Sequence, residues 1–210
     1  MIAILDYGAG NLTSVRLAFE RLGAGAQVVT KAEEASRADR LIFPGVGSAK
    51  SGMEGLCGRG FDRVLREAFA AGKPILAICL GMQMLLERSE EDGGVAGLGL
   101  VPGSVVEFAF PAEERVKVPH MGWNAVHVPH PHPVFEGIPD NTAFYFVHSF
   151  YAAPTNPQDT AGETEYAGKH FTSAVARGSL IGTQFHPERS GAAGLALLKN
   201  FLAWDGKSCC

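Results

Sequence analysis

Three residues of the kinds that cooperate in covalent catalysis occur in two short motifs of this sequence. The first motif centres on Cys79, which follows the apolar run 74–78 and precedes Leu80 and Gly81. This pattern predicts a strand that turns sharply into a helix, with a thiol at the turn. Unpaired amides at the start of such a helix favour the thiolate and can bind an oxyanion. A lone cysteine is most often a core residue, so Cys79 alone does not establish catalysis.

The second motif, Gln184-Phe-His-Pro-Glu188, supplies partners for a nucleophile. Pro187 favours an extended conformation in the residue before it, so His186 and Glu188 are expected to point the same way. A carboxylate beside an imidazole fixes its tautomer and leaves the other nitrogen free to take a proton. We therefore predict a catalytic triad of Cys79, His186 and Glu188. The alternative for the His-Pro-Glu tripeptide by itself is a surface turn.

A glycine-containing loop, Pro44-Gly45-Val46-Gly47, follows another predicted strand. Its two glycines allow peptide orientations that a side chain would forbid, including one that points an amide into a site at the strand ends. Together with the amide of Leu80, this loop predicts an oxyanion hole formed by Val46, Gly47 and Leu80. The alternative is an ordinary turn after a strand.

The elements that would position these residues alternate between strands and helices in the first half of the chain. The predicted strands there are 2–6, 27–30, 41–44 and 74–78, and the predicted helices are 11–22, 61–71 and one from Gly81. Later segments predict strands at 116–119, 125–128, 143–150, 173–177 and 181–185, and a final helix at 191–204. Segments 128–133 and 156–168 are interpreted as surface loops. We expect a single-domain α/β fold with an open, mixed, mostly parallel sheet, helices on both faces, and the site at the carboxyl ends of the strands.

Length and composition favour one globular domain. The chain has 210 residues, 46% of them hydrophobic, with a net charge of −4. We predict a domain at 1–205 and a disordered tail at 206–210. The acidic balance and scattered basic residues argue against nucleic acid and anionic membranes as partners. With no signal peptide or transmembrane stretch in the sequence, a cytoplasmic location is expected.

Neither a cofactor nor a metal is expected. The Gly8-Ala-Gly10 segment lacks the third glycine of a dinucleotide-binding motif. His127, His130 and His132 are separated by prolines and have no carboxylate in their loop, which is a poor metal site. The four cysteines follow neither a metal-binding nor a disulfide pattern.

Taken together, the motifs at 77–83, 44–47 and 184–188 resemble those of the class I glutamine amidotransferases, whose Cys-His-Glu triad lies on an open, flavodoxin-like α/β sheet. Three further segments, 6–11, 119–124 and 145–151, are similar to the branch of glutaminase subunits that serve imidazole glycerol phosphate synthases. The resemblance covers nearly the whole chain. It implies hydrolysis of L-glutamine to glutamate and ammonia through a cysteine thioester.

The same resemblance implies a substrate site and a partner. Glutamine would be held near Gly45 and Gln83 and by the segment His148-Ser149-Phe150. Ammonia would pass to a separate (β/α)8-barrel cyclase subunit of histidine biosynthesis. The residues expected to face that partner are Asn11, Met121, Trp123, Asn124 and Arg189. Trp123 is the predicted aromatic anchor, and a core position is its alternative.

Three other functions stay open at this point. The chain could serve another synthase, such as those that make anthranilate or pyridoxal phosphate. It could be a non-catalytic module that keeps the fold, which the intact Cys79, His186 and Glu188 argue against. It could also be a general cysteine hydrolase such as a peptidase, which would not explain Gln83 or segment 145–151.

Overall fold

The computed structural model describes residues 1–8, 10 and 12–207, without the side chain of Ala112. Within them the strands are β1 Ile2–Leu5, β2 Ala26–Val29, β3 Arg40–Gly45, β4 Ile75–Cys79, β5 Arg88–Ser89, β6 Val95–Ala96, β7 Gly103–Glu107, β8 His120–Val126, β9 Thr142–His148, β10 Phe150–Pro154, β11 Thr160–Tyr166, β12 Lys169–Arg177 and β13 Leu180–Thr183. The α-helices are α1 Leu12–Arg21, α2 Ala32–Ser36, α3 Ala49–Gly58, α4 Phe61–Ala70, α5 Leu80–Gln83 and α6 Gly191–Ala203. A 3₁₀ turn at Pro187–Arg189 follows β13.

The strands form one large sheet and one hairpin. Strands β2, β1, β3, β4 and β13 lie side by side and run parallel. The sheet continues through β12, β10 and β7, which pair antiparallel, to the short strands β5 and β6. Strands β8 and β9 form a separate antiparallel pair. This mixed sheet confirms the predicted fold class.

Apolar side chains alternate between the two faces of the large sheet, as the period of two in a strand requires. On β3, Leu41 and Phe43 belong to one buried core and Ile42 to the other. Helices α2, α3 and α4 cover the first core, and α1 and α6 cover the second. The helices on both faces, which the sequence predicted, are confirmed.

Two local predictions were wrong, and helix α3 was not predicted. Segment 116–119 is not a strand, because extended pairing begins only at His120. The predicted loop 156–168 contains β11, which pairs with β12 from Thr160 to Tyr166. Helix α3 was missed because its three glycines oppose helix formation. One of them is required by packing, since a Cβ on Gly55 would lie 2.3 Å from the carbonyl oxygen of Tyr7.

The described chain continues past the predicted domain end at residue 205. Gly206 is buried, and the indole Nε1 of Trp204 donates to the carbonyl oxygen of Lys207 at 2.6 Å. The remainder of the predicted tail, 208–210, lies outside the described residues. No helix in the described ranges has the length and apolarity needed to cross a membrane.

Three buried histidines should make stability depend on pH. Burial lowers the pKa of His120 and of His132 to about 4, and that of His148 to about 3. In the unfolded chain these groups titrate near pH 6.5, so below that pH the unfolded state binds more protons than the folded state. We expect the contribution of these three rings to the free energy of unfolding to be highest above pH 6.5. Towards pH 4.5 it should fall, by about 1.4 kcal/mol per pH unit for each histidine. Urea unfolding at pH 7, 6 and 5 measures this dependence.

The variant His132→Phe is the control for this prediction. The ring of His132 packs against Trp204, with centroids 5.0 Å apart, so phenylalanine keeps the packing and removes one titrating group. Its stability should fall less steeply with decreasing pH. Equal stability of the wild-type protein at pH 7 and pH 5 would contradict the assignment of buried, neutral rings.

Candidate active site

Cys79 lies at a strained turn at the end of β4, the strand between β3 and β13. Its backbone has φ 54° and ψ −111°, a conformation that residues other than glycine rarely adopt. The turn requires close packing behind it, since a Cβ on Gly81 would lie 1.9 Å from the carbonyl oxygen of Phe43. Helix α5, which follows, is a single turn of four residues. Its dipole is therefore smaller than the sequence suggested, and the first amides remain as local donors.

His186 and Glu188 come together directly after β13, the neighbour of β4. The Nδ1 atom of His186 lies 2.9 Å from Oε1 of Glu188, and both side chains are almost entirely buried. Among the described residues, Nε2 of His186 has no hydrogen-bond partner. The carboxylate therefore fixes the ring and leaves the second nitrogen free, the arrangement that the sequence predicted for a triad.

The charge environment favours a protonated His186. Burial by itself lowers the pKa of this imidazole. Attraction to Cys79 and the hydrogen bond to Glu188 outweigh burial and raise the pKa above its ordinary value. Cys79 and His186 also line the same cleft. A protonated imidazole beside a thiol is suited to stabilise the thiolate and then to protonate a leaving group.

The sulfur of Cys79 has a second polar neighbour that sequence reasoning missed. Nε2 of Gln184 donates to Sγ at 3.6 Å, and Gln184 is fully buried. Its Oε1 accepts from Nε2 of Gln83 at 3.1 Å. The only signal in the sequence was that Gln184 belongs to the His-Pro-Glu motif, whose strand ends beside β4.

The glycine loop after β3 lies beside the nucleophile. Val46, Gly47 and Leu80, the residues predicted to form an oxyanion hole, all line the cleft that contains Cys79. Gly47 has φ +101°, which a side chain would oppose. The Tyr7 hydroxyl donates to the carbonyl oxygen of Pro44 at 2.6 Å and anchors the start of the loop. Burial, and to a smaller extent Cys79, raise the pKa of Tyr7, so this hydroxyl keeps its proton.

The cleft has a volume of about 290 Å³, a size that suits a single amino acid. Four of the predicted substrate residues line it: Gln83, His148, Ser149 and Phe150. Gly45 does not, because it packs against the Tyr7 hydroxyl, and a Cβ there would lie 2.3 Å from that oxygen. Glu91 also lines the cleft, and it had no signal in the sequence because it belongs to an acidic run typical of a solvated surface.

Glu91 is held in place by a backbone donor. Its Oε2 accepts from the amide of Ala49 at 2.6 Å, at the start of α3. Burial raises the pKa of Glu91, and this hydrogen bond partly opposes the rise. The cleft therefore combines a thiol, a protonated imidazole and a carboxylate. Among the described residues, no group of three or more His, Cys, Asp and Glu side chains is placed to hold a metal ion.

The residues predicted to face a partner separate into two sets. Met121 and Trp123 are 62% and 59% exposed, so the alternative of a core tryptophan is excluded. The ring of Tyr145 lies between Trp123, at 6.2 Å, and the guanidinium of Arg189, at 4.5 Å. These exposed side chains form one surface next to the His186 turn.

Asn124, also predicted to face the partner, does not belong to that surface. Asn124 follows Trp123 on β8, so the two side chains point to opposite faces of the strand. Nδ2 of Asn124 donates to the carbonyl oxygen of Glu165 at 2.8 Å and lies 3.3 Å from Nε2 of His120. Its side chain therefore points away from Trp123. Asn11 lies outside the described residues.

Known proteins are similar to this chain in both sequence and fold. The profile of the family described as "Glutamine amidotransferase class-I" matches residues 3–204. The imidazole glycerol phosphate synthase subunit HisH of Methylococcus capsulatus is 49% identical, covering 97% of this chain and 96% of the relative. The protein of the same name from Chlorobaculum tepidum is 47% identical, covering 96% of this chain and 98% of the relative.

Solved structures with low sequence identity share the fold. A crystal structure of a glutamine amidotransferase matches with a TM-score of 0.73 at 20% identity, covering 98% of each chain. The structure of PurLQS from Thermotoga maritima matches with a TM-score of 0.73 at 18% identity, covering 96% of this chain and 97% of the other. With the family profile and the full-length relatives, these matches show that the chain belongs to the class I glutamine amidotransferases.

Proposed function

We propose that this chain is the glutaminase subunit of an imidazole glycerol phosphate synthase of histidine biosynthesis, working in the cytoplasm with a separate (β/α)8-barrel cyclase subunit. The observation that carries the activity is the strained Cys79 beside the ion-paired His186 and Glu188 at the rim of one cleft. The choice of synthase is supported by full-length relatives at 47–49% identity that carry this name.

Glutamine binding follows from the groups in the cleft. The carboxylate of Glu91 and Oε1 of Gln83 are the acceptors suited to the α-ammonium group. The orientation of the Gln83 amide is fixed because Nε2 donates to the carbonyl oxygen of Phe150 and to Oε1 of Gln184, which assigns Oε1 of Gln83 as the acceptor left for a substrate. We assign the α-carboxylate to the backbone of segment 148–150, which lines the same cleft. This arrangement leaves the carboxamide of the substrate at Cys79.

The reaction proceeds in two steps. The thiolate of Cys79 attacks the carboxamide carbon, and amides at Leu80 and in the Val46–Gly47 loop stabilise the negative oxygen. His186 gives its proton to the departing nitrogen, so ammonia leaves and a γ-glutamyl thioester forms. The now neutral His186 takes a proton from water, which attacks the thioester. Glutamate leaves, the thiolate returns with the protonated imidazole, and Glu188 orients the ring throughout.

Partner control is the expected behaviour of the isolated chain. A peptide between Gly45 and Gly47 can rotate, so its amide need not face the oxyanion until the partner is loaded. One missing oxyanion donor costs about 10²–10³ in kcat. We expect the isolated chain to turn over glutamine at least about 10²-fold more slowly than the complex with the cyclase and its nucleotide, mainly through kcat. Steady-state glutaminase kinetics on both forms measure this difference.

A pair of surface variants provides the control. Trp123→Ala should weaken the activation by the cyclase, because an exposed aromatic side chain is a typical interface anchor. Val28→Ala removes an apolar side chain of 39% exposure on the far edge strand β2 and should leave activation unchanged. Full kcat without any partner would contradict this function, and activation by an anthranilate or pyridoxal phosphate synthase subunit instead would assign a different synthase.

A further inference from the structure

The side chains of two buried histidines at the cleft take no part in the reaction described above. His120 and His148 are directly opposite each other on β8 and β9. Nδ1 of His120 is 3.0 Å from Nε2 of His148. The rings are 3% and 6% exposed, and burial lowers the pKa of both, so each is neutral at pH 7. Because a neutral imidazole has one donor and one acceptor nitrogen, one of these two rings must donate to the other.

The partners of the pair determine both tautomers. Nδ1 of His148 lies 2.8 Å from the carbonyl oxygen of Phe150, which can only accept, so this nitrogen carries the hydrogen. Nε2 of the same neutral ring must then accept, and Nδ1 of His120 donates to it. Nε2 of His120 in turn accepts from Nδ2 of Asn124 at 3.3 Å. The donors therefore point one way, from Asn124 through both rings to Phe150.

This chain ends at a carbonyl that also belongs to the glutamine cleft. The oxygen of Phe150 accepts from Nε2 of Gln83 at 2.9 Å as well as from His148. The same amide group of Gln83 donates to Gln184, whose Nε2 donates to the sulfur of Cys79. A shift of the Phe150 carbonyl would therefore move Gln83, a group proposed above to bind glutamine.

The other end of the chain lies on the strand that carries the exposed partner surface. Met121 and Trp123 alternate along β8 with His120 and Asn124, so the two sets lie on opposite faces of one strand. We propose that His120 and His148 are positioning residues that fix the Phe150 carbonyl at the rim of the glutamine cleft and couple it to the partner-facing strand β8. The coupling to the partner rests on the proposed function.

The first test reads the tautomers in the wild-type protein. The nitrogen chemical shifts of the imidazole rings distinguish hydrogen on Nδ1 from hydrogen on Nε2. We expect both His120 and His148 to be neutral with the hydrogen on Nδ1, the less common form of a free imidazole. Hydrogen on Nε2 in either ring would overturn the proposal, and this result does not depend on any variant folding.

The second test compares glutamine kinetics of variants in the complex with the cyclase. His120→Phe keeps the aromatic packing against Phe146 and Tyr166, whose ring centroids lie 4.9 and 4.1 Å away, but cannot donate to His148. We expect its KM for glutamine to rise about tenfold, the effect of one lost buried hydrogen bond. Activation by the partner should fall in parallel. His120→Asn, whose amide can donate from the position of Nδ1, should restore most of the affinity.

The matched control is His132→Phe, which replaces another buried, neutral histidine packed on an aromatic ring outside the cleft. Its KM for glutamine should stay within about twofold of the wild-type value. A wild-type KM in His120→Phe, or equal changes in the two phenylalanine variants, would leave the pair a purely structural role and overturn the proposal. A wild-type complex without glutaminase activity would contradict the proposed function instead. The tautomers of His120 and His148, measured without the cyclase, would still test the direction of the hydrogen bonds between the two rings.

Discussion

Replacing Cys79 with alanine is expected to reduce glutamine-dependent synthesis by the complex by about 10⁴-fold or more, because no thioester can form without the sulfur. Synthesis from added ammonium salts should be largely retained, since in the proposed assembly the cyclase uses ammonia in a separate subunit. Measuring both activities on the same preparation distinguishes loss of the nucleophile from loss of the complex.

Cys57 provides the matched control for this experiment. It is also a free cysteine, but it is exposed on α3. Cys57→Ala should keep both activities, and a glutamine-mimicking electrophile should label the wild-type protein and Cys57→Ala at Cys79 only. If Cys79→Ala loses the ammonium-dependent activity too, Cys79 is structural. If it loses neither activity, the assignment of the nucleophile is wrong.

The two partners of the thiol should differ in the size of their effects. His186 transfers protons in both steps, so His186→Ala is expected to lower kcat for glutamine by on the order of 10⁴–10⁶, as for a triad base. Glu188 only orients the ring, and a thiol needs less activation than a hydroxyl. We therefore expect a smaller loss, about 10²–10³, for Glu188→Gln. Steady-state glutaminase assays of the complex measure both values.

His170→Ala is the matched control, because His170 is an exposed histidine near a carboxylate, with Nε2 3.7 Å from Oε2 of Glu165. This variant should behave as wild type. Negligible losses in both His186→Ala and Glu188→Gln would contradict the triad. A loss in Glu188→Gln as large as that in His186→Ala would give the carboxylate a direct role in proton transfer.

Much of the fold could be predicted because its signals are local. Strands β1, β3 and β4 are short apolar runs, and helix α4 has a strong apolar face. The spacing of apolar residues was therefore sufficient to predict these elements. Strand β11 could not be predicted this way. Its segment is rich in glycine, threonine and glutamate, and it becomes a strand only through pairing with β12.

The candidate site also contains residues that local sequence predicted and residues that it did not. Cys79 could be recognised from a strand followed by small residues, and the His186–Glu188 pair from the proline between them, because these geometries are set within a few residues. Glu91 and the role of Gln184 could not, because the residues they contact, Ala49 for Glu91 and Cys79 for Gln184, are far away in the sequence.

The sequence by itself determined the chemistry of this protein: a thiol at a strand end, an imidazole oriented by a carboxylate, and a glycine loop able to offer an amide. These features depend on residue type and on conformations set by near neighbours. Only the tertiary structure decided which side chains surround them. In that structure Asn124 contacts His120, whereas Trp123 is exposed. His148 and Gln83 both donate to the carbonyl oxygen of Phe150. Such contacts arise from strand register and sheet order, which link residues far apart in the chain.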